Sequence, residues 1–256
     1  MDLGLKNKTV LITGSTKGIG LATARLFLKE GAKVTINGRS QQSLDSALKP
    51  LQTEFNKDNV QGIVADVATE AGILKVIKAL PQVEILINNA GIFKPEEFPT
   101  ISRASWLQFF ETNVLSGAQL TQHYLPLMIK KNWGRIIFIS SESAISIPVE
   151  MVHYGMTKTA QLAISRGAAE LCRGTNVTVN SVLPGPTLSD GVEIFIKELG
   201  VSEETMFKEA RPNSIAQRFA QPEEVANLIV YVASERAAMT NGSALRVDGG
   251  TAKVVF

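Results

Sequence analysis

The chain is predicted to fold as a doubly wound α/β sandwich, in which a parallel sheet of about seven strands lies between two layers of helices. Short apolar runs alternate with helical stretches along all 256 residues, as is typical of βαβ units. Runs such as TVLIT, ILIN and RIIFIS lack polar alternation, which indicates central strands buried on both faces. No repeat, low-complexity tract or linker divides the chain, so we expect one domain over residues 1–256.

The predicted strands are separated by enough chain for right-handed crossover helices that cover both faces of the sheet. They are Thr9–Thr13, Lys33–Asn37, Val60–Ala65, Ile85–Asn88, Arg135–Ser140, Asn176–Leu183 and Ala244–Val247. The segment 184–222 is irregular and returns to the regular pattern at Gln221-Pro222, where the proline suits a helix start. Because it follows the carboxyl end of a strand, we expect this segment to cover the substrate as a lid.

Composition excludes several classes of function. Lys+Arg 26 against Asp+Glu 24 gives a net charge of +2 without a basic block, so nucleic acid is not expected as a partner. One cysteine, Cys172, and two histidines do not predict a metal site. No window reaches the roughly 18 apolar residues of a membrane span, and the start of the chain does not resemble a signal peptide. We expect a cytoplasmic protein with Trp106, Trp133 and most phenylalanines in its core.

The first strand runs into a glycine-rich turn and then into a helical stretch. The turn consists of Gly14, Ser15, Thr16, Lys17, Gly18, Ile19 and Gly20. Glycines let the backbone approach a pyrophosphate, whose charge the N–H groups and dipole of the helix N-terminus stabilise. The spacing has three residues, rather than one, between the first two glycines, so a glycine turn without a ligand is the alternative. The strand, turn and helix together favour a Rossmann-type dinucleotide site.

The end of the second strand indicates which nicotinamide cofactor is preferred. A site that selects NAD places Asp or Glu there to accept hydrogen bonds from the ribose hydroxyls. This chain has Asn37, Gly38, Arg39 and Ser40 instead, and Lys17 approaches from the glycine turn. Two cations suit a 2′-phosphate, which Arg39 can bind as a planar fork. We therefore expect NADP(H) rather than NAD(H), with solvated surface charges as the alternative.

Two further strand ends are predicted to contact the dinucleotide. Asp66, followed by Val67, ends the third strand and can accept from an adenine amino group, or cap the helix that starts near Thr69. Asn89, Ala90 and Gly91 follow the fourth strand, where small and amide residues let a cofactor lie across the edge of the sheet. A plain turn is the alternative for these three residues, since Asn and Gly favour turns.

Three residues are candidates for the chemistry. Tyr154 and Lys158 are four residues apart in a predicted helix and share a face. A phenol titrates near ~10, and a neighbouring ammonium would lower its pKa by favouring the phenolate. Ser141 ends a buried strand, where its hydroxyl can hydrogen-bond a substrate oxygen. A Tyr-x-x-x-Lys pair alone is common on exposed helices, so the pair gains weight from Ser141 and the glycine turn.

Six motifs occur in the order TGSTKGIG, NNAG, Asn113, Ser141, YGMTK and LPGPT, and VDGG follows near the end. In the order of these motifs the chain resembles the short-chain dehydrogenase/reductase family over essentially its whole length. It also has a general likeness to the 3-oxoacyl-carrier-protein reductase branch of that family. The resemblance implies hydride transfer between a nicotinamide cofactor and a carbonyl or alcohol substrate. It also implies a homotetramer, with helices near residues 105–131 and 150–173 as the contacts.

The resemblance implies a role for each matching residue. Tyr154 would donate the proton to the carbonyl oxygen, which Ser141 would steady, and Lys158 would hold the nicotinamide ribose while lowering the pKa of Tyr154. Asn113 would position a water that links Lys158 to solvent. Backbone groups of Pro184 and Gly185, with the Thr187 hydroxyl, would contact the nicotinamide carboxamide.

Two departures from the family pattern leave questions open. Ser189 stands where the family tends to place a threonine, and Glu142 follows Ser141 where small or neutral polar residues are more frequent. The predicted pocket contains apolar residues such as Ile145, Ile147, Met151, Phe195 and Phe207, which indicate a largely apolar or acyl-like substrate. A dinucleotide-binding sensor or scaffold without turnover is the alternative function, and His153 is expected to pack or face water.

Overall fold

The predicted sandwich is confirmed. The computed structural model describes residues 1–189, 192–193, 196–197, 200–212 and 214–255, and only the backbone of Ala210. Seven strands form one sheet in the order β3-β2-β1-β4-β5-β6-β7, and every neighbouring pair is parallel. The strands are β1 Thr9–Ile12, β2 Lys33–Gly38, β3 Val60–Val64, β4 Ile85–Asn88, β5 Gly134–Ile139, β6 Val177–Pro184 and β7 Ala244–Val247. Each predicted strand therefore exists, with its ends within one residue of the prediction.

Helices connect the strands and cover the two faces of the sheet. They are α1 Gly18–Lys29, α2 Gln41–Glu54, α3 Glu70–Ala79, α4 Arg103–Phe110, α5 Ser116–Lys130, α6 Val152–Glu170, α7 Glu203–Ala210 and α8 Pro222–Val232. A turn of π-helix, Glu111–Leu115, joins α4 to α5. The predicted helix start at Pro222 is found, where Gln221 and Glu224 form a reciprocal capping box.

Alternate residues of the central strands pack into two separate cores. Val10 and Ile12 of β1 belong to the core beneath α1, α2 and α8, whereas Leu11 belongs to the core beneath α3, α5 and α6. Since successive side chains of a strand point to opposite faces, a strand covered on both sides buries nearly all of its side chains and is largely apolar. This requirement explains the continuous apolar runs of the sequence.

The strand order reverses between β1 and β4, which are neighbours in the sheet although β2 and β3 lie between them in sequence. In open α/β sheets, ligands bind beyond the carboxyl ends of the strands at such a reversal. The glycine turn follows β1 and the Asn89–Gly91 loop follows β4, so the topology brings these two segments together. The dinucleotide motifs therefore meet at the expected edge of the sheet.

The aromatic side chains are less buried than predicted. Trp106 and Trp133 are only half-buried, and Trp133 packs beneath the Lys8 ammonium, whose Nζ lies 3.6 Å from the ring centroid. Phe93, Phe98 and Phe110 are exposed. The prediction that both tryptophans and most phenylalanines lie in the core is therefore correct only in part: Phe27, Phe109, Phe138 and Phe207 are buried, while aliphatic residues of the strands form most of both cores. Within the described residues, no helix is long and apolar enough to cross a membrane.

Candidate active site

The glycine turn has a backbone that requires glycine. Gly14 and Gly18 have φ of 58° and 55°, in the left-handed region that favours glycine. A Cβ on Gly14 would lie 2.9 Å from Cα of Ala90, and one on Gly20 would lie 2.6 Å from Nδ2 of Asn89. The glycine turn and the loop after β4 are therefore so close that no side chain fits between them at Gly14 or Gly20. Helix α1 begins at Gly18, beside this contact.

Three polar side chains hold this arrangement, and one of them, Thr13, was not singled out in the sequence analysis. The Thr13 hydroxyl accepts from the backbone N–H groups of Asn89 and Ala90, at 3.0 and 2.9 Å. The Asn89 amide donates to the carbonyl oxygens of Thr13 and Gly14, both at 2.9 Å. Asn37, which is buried, accepts from the Gly14 N–H through its side chain. The predicted Asn89–Gly91 loop is thus a defined partner of the glycine turn.

The two candidate phosphate ligands lie at the surface. Arg39 follows β2 directly and is exposed, as is Lys17 at the start of α1. Asp66 is exposed as well, and its carboxylate accepts from the Ala68 N–H at 3.1 Å, whereas Thr69 caps α3. The alternative that Asp66 caps α3 is therefore wrong. Val67, the next residue, is buried.

Lys158 lies deep in the site, on α6. It is buried, and its Nζ donates to the Ile139 carbonyl at the end of β5, at 2.9 Å. Its Nζ also lies 5.5 Å from the centroid of the Tyr154 ring. A Cβ added to Gly91 would lie 3.6 Å from the same Nζ, so the loop after β4 passes directly over the ammonium. The structure thus brings Tyr154, Lys158 and the candidate dinucleotide loops together.

The acid–base properties differ from those predicted for the Tyr154 and Lys158 pair. Burial raises the pKa of Tyr154 well above its usual value, a hydrogen bond with Ser141 lowers it, and the charge of Glu142 raises it further. Burial lowers the pKa of Lys158 to about 8, against an attraction to Glu142. The predicted lowering of the Tyr154 pKa by Lys158 was wrong for the free protein. Desolvation is the largest cause, and Ser141, not Lys158, is the neighbour that lowers the pKa of Tyr154.

Ser141 lies two residues after the end of β5, beside a buried carboxyl group. The Ser141 hydroxyl donates to Oε2 of Glu142 at 2.5 Å and accepts from the Ser143 N–H at 3.1 Å. Glu142 is only 7% exposed, and burial raises the pKa of its carboxyl group, while Ser141 and Arg211 lower it. A serine hydroxyl has one proton, so Ser141 can donate to Glu142 or to another acceptor, but not to both at once.

Asn113 lies in the π-helical turn and is buried. Its side chain accepts from the Ile92 N–H at 2.8 Å and donates to the Ile92 carbonyl and the Thr157 hydroxyl, both at 3.0 Å. Its backbone carbonyl accepts from the Gln161 amide at 2.6 Å. Both amide hydrogens of Asn113 are therefore used, and the residue ties the loop after β4 to α6. Thr157 and Gln161, which complete this tie, are further residues that the sequence analysis missed.

The segment after β6 lies at the same edge of the sheet. Gly185 donates to the Val247 carbonyl at 3.1 Å, and the Thr187 hydroxyl donates to the Gly185 carbonyl at 2.9 Å. A Cβ added to Gly18 would lie 3.6 Å from Cβ of Ser189, so the segment passes beside the glycine turn. The beginning of the predicted lid is thus next to the dinucleotide motifs.

The predicted apolar pocket residues have different surroundings. Phe207 is fully buried and packs against Phe219, with ring centroids 5.0 Å apart, whereas Ile147 is exposed. Ile145 and Met151 are half-buried, and Phe195 lies outside the described residues. Phe93 is exposed beside Tyr154, with ring centroids 6.3 Å apart. Of the two expectations for Glu142, that it faces solvent or that it shapes the pocket, exposure to solvent is not observed, because the residue is buried.

His153, which precedes Tyr154, is completely buried. Its ring centroid lies 4.0 Å from that of Phe109 and 6.0 Å from that of Trp106. Burial lowers its pKa, so the neutral imidazole is favoured at neutral pH. Of the two expectations for His153, packing is therefore the one observed.

Comparisons with known proteins identify relatives over the whole chain. A family model described as enoyl-(acyl carrier protein) reductase matches residues 14–252. The uncharacterized oxidoreductase YvaG of Bacillus subtilis is 46% identical, and the match covers 100% of both chains. The 3-oxoacyl-[acyl-carrier-protein] reductase FabG of Aquifex aeolicus is 31% identical over 98% of this chain and 99% of that protein. An L-sorbose reductase of Gluconobacter frateurii, solved with NADPH and L-sorbose, matches with a TM-score of 0.92 and 32% identity over 100% of both chains.

Proposed function

Because the chain belongs to the short-chain dehydrogenase/reductase family of oxidoreductases, we propose that it reduces a carbonyl substrate with NADPH and oxidises the alcohol in the reverse direction. The observation that carries the proposal is the position of Tyr154 and Lys158 beside the loop after β4, with Ser141 in the turn that follows the neighbouring strand β5. A protein that only binds a dinucleotide has no evident need for all three side chains.

The residues present fit a dinucleotide. The left-handed backbone at Gly14 and Gly18 leaves the start of α1 without side chains that would block a phosphate, and the helix N-terminus offers N–H groups and a positive dipole end. Lys158 and Gly91 lie where the loop after β4 meets α6, which suits a ribose and its hydroxyls. The residues proposed to surround the cofactor come from five segments. They are Gly14 to Gly20, Asp66 and Val67, Asn89 to Gly91, Pro184 and Gly185, and Thr187.

NADPH is proposed in preference to NADH. Arg39 and Lys17 are exposed cations at the end of β2 and the start of α1, and the end of β2 has no carboxylate to accept from the ribose hydroxyls. A guanidinium binds a phosphate through two parallel hydrogen bonds. The NADPH bound by the structural relative from Gluconobacter frateurii supports the same choice.

Bound NADPH supplies the hydride, and the chain supplies the proton and the orientation. Tyr154, whose raised pKa keeps its proton at neutral pH, donates that proton to the carbonyl oxygen as the hydride reaches the carbonyl carbon. Ser141 donates a hydrogen bond to the same oxygen once its proton turns away from Glu142. Lys158 holds the ribose, and Asn113 holds the loop after β4 against α6 through its hydrogen bonds to Ile92 and Thr157.

The proposal is tested by NADPH oxidation with a panel of ketones, aldehydes and 3-oxoacyl thioesters. Turnover is expected in the wild type, and Tyr154→Phe is expected to lower kcat by about 10²–10⁴-fold, since it removes the proton donor. NADPH affinity, measured by fluorescence titration, should stay within about threefold because the ring is retained. Binding without turnover in the wild type would support the sensor instead, and an unchanged kcat in Tyr154→Phe would refute the mechanism.

Self-association into a tetramer is proposed as well. Leu107, Phe110 and Leu115 are 47%, 36% and 38% exposed along α4 and the π-helical turn. Clustered exposed apolar side chains of this kind mark interfaces between proteins. We also propose a cytoplasmic location and a lid over 184–222. Both proposals are based on the sequence.

A further inference from the structure

Glu142 is a buried carboxyl group that the proposed mechanism does not use. It begins a short 3₁₀ turn, Glu142–Ala144, directly after Ser141, and its Oε2 accepts the Ser141 proton. Its charge acts on both Tyr154 and Lys158, so it belongs to the reacting centre and not to the surface. Ionisable side chains are rarely buried to this extent unless they are paired or functional.

We propose that Glu142 accepts a hydrogen bond from a hydroxyl group on the carbon next to the reacting carbonyl, so that the preferred substrates are α-hydroxyketones. The inference rests on the proposed reductase function and specifies its substrate class. Ser141 and Tyr154 are the groups assigned to the carbonyl oxygen. A hydroxyl on the adjacent carbon lies within hydrogen-bonding distance of that oxygen, and hence close to the carboxylate that Ser141 already contacts.

The hydrogen bonds already made by Glu142 do not compensate fully for its burial. Desolvation raises the pKa of the carboxyl group despite the hydrogen bond from Ser141 and the attraction of Arg211. A further donor therefore stabilises the carboxylate. When Ser141 turns its proton to the carbonyl oxygen, the carboxylate loses that hydrogen bond and keeps the backbone N–H groups of Ser143 and Glu142 and the attraction of Arg211. A substrate hydroxyl replaces that hydrogen bond at the moment of reaction.

The charges around Glu142 favour a neutral donor over a charged one. Lys158 and Arg211 already act on the carboxylate, so a substrate ammonium would meet two like charges. A substrate carboxylate beside the carbonyl would be repelled by Glu142 itself. An unsubstituted alkyl chain would cover the carboxylate without a hydrogen bond, which is costly for a buried charge. A hydroxyl group meets none of these penalties.

The reaction is that of the proposed function. The hydride of NADPH adds to the carbonyl carbon, the C=O π bond breaks, and the oxygen takes the proton of Tyr154. The products are a vicinal diol and the oxidised dinucleotide, and the tyrosine is reprotonated from solvent.

The test compares substrates that differ by one hydroxyl group. Acetoin and 2-butanone are reduced with NADPH, and the ratio of their kcat/KM values is measured for the wild type, Glu142→Gln, Glu142→Leu and Glu150→Gln. Glu150 is an exposed glutamate of the same segment, and its variant removes the same charge as a control. A hydrogen bond to a charged acceptor corresponds to a ratio of about 10–150 in favour of acetoin in the wild type.

We expect Glu142→Leu to bring the ratio to within about threefold of unity, and Glu142→Gln to lower it at least about threefold because the acceptor loses its charge. Glu150→Gln should keep the wild-type ratio. If Glu142→Leu fails to fold, the nearly isosteric Glu142→Gln decides alone. A wild-type ratio near one, or a ratio unchanged by Glu142→Gln, overturns the inference and leaves the reductase function intact. NADPH binding without reduction of any carbonyl in the panel refutes the proposed function, and this inference with it.

Discussion

The burial of Lys158 predicts that this residue destabilises the protein at neutral pH. Its pKa in the folded protein is about 8, compared with its ordinary value of 10.5. At about 1.4 kcal/mol for each tenfold change in proton affinity, this difference corresponds to a penalty of about 3 kcal/mol when both states are protonated. Lys158→Met removes the ammonium and with it the penalty. Part of that gain is offset because the Ile139 carbonyl loses its donor.

The pH dependence of stability isolates the ammonium from the lost hydrogen bond. Between pH about 8 and 10.5, the unfolded wild-type chain binds more protons at Lys158 than the folded protein does, so this residue makes stability rise with pH. The variant has no such group. The free energy of unfolding of Lys158→Met minus that of the wild type should therefore fall by about 2–3 kcal/mol from pH 7 to pH 10.

Urea unfolding followed by circular dichroism, without cofactor, measures this difference at each pH. Lys75→Met is the matched control, since Lys75 is exposed on α3, and its effect should stay within about 0.5 kcal/mol at every pH. Parallel stability curves for the wild type and Lys158→Met from pH 7 to 10 would show that the ammonium is not desolvated, and the argument would be wrong.

Two further predictions concern the cofactor site. Arg39→Asp should reverse or abolish a preference for NADPH of about 10–150-fold in kcat/KM at low salt, because it removes a phosphate ligand and adds an acceptor for ribose hydroxyls. Arg103→Asp, a change of equal charge at the exposed start of α4, should preserve the preference, and an unchanged ratio in Arg39→Asp would make Arg39 a solvated surface charge. Gly14→Ala should lower the free energy of unfolding by more than the ~1–2 kcal/mol of a left-handed alanine, because its Cβ would contact Ala90. Gly167→Ala in α6, where a Cβ meets open space, should be stabilising, and equal effects at the two positions would contradict the close approach of the turn.

The fold was largely predictable because the strands of a sheet covered on both faces are short apolar segments, which are easily recognised between helical stretches. The central strands β1, β4 and β5 are largely apolar runs, and every predicted strand was found with its ends within one residue of the prediction. The glycine turn was equally predictable, since the left-handed φ values at Gly14 and Gly18 restrict the residue type directly. The burial of individual aromatic residues was less predictable, because apolar character alone does not distinguish a core residue such as Phe109 from an exposed one such as Phe110.

The sequence by itself determined which residues are candidates for the chemistry, since the spacing of Tyr154 and Lys158 places them on one face of a helix. Only the tertiary structure decided their protonation, because a pKa depends on burial and on charges brought from other elements. β5 contributes the Ile139 carbonyl to Lys158, and the turn after it contributes Glu142. The same is true of Thr13, Thr157 and Gln161, whose hydrogen bonds join segments far apart in the chain. No local pattern records such contacts, because they exist only after the sheet has assembled.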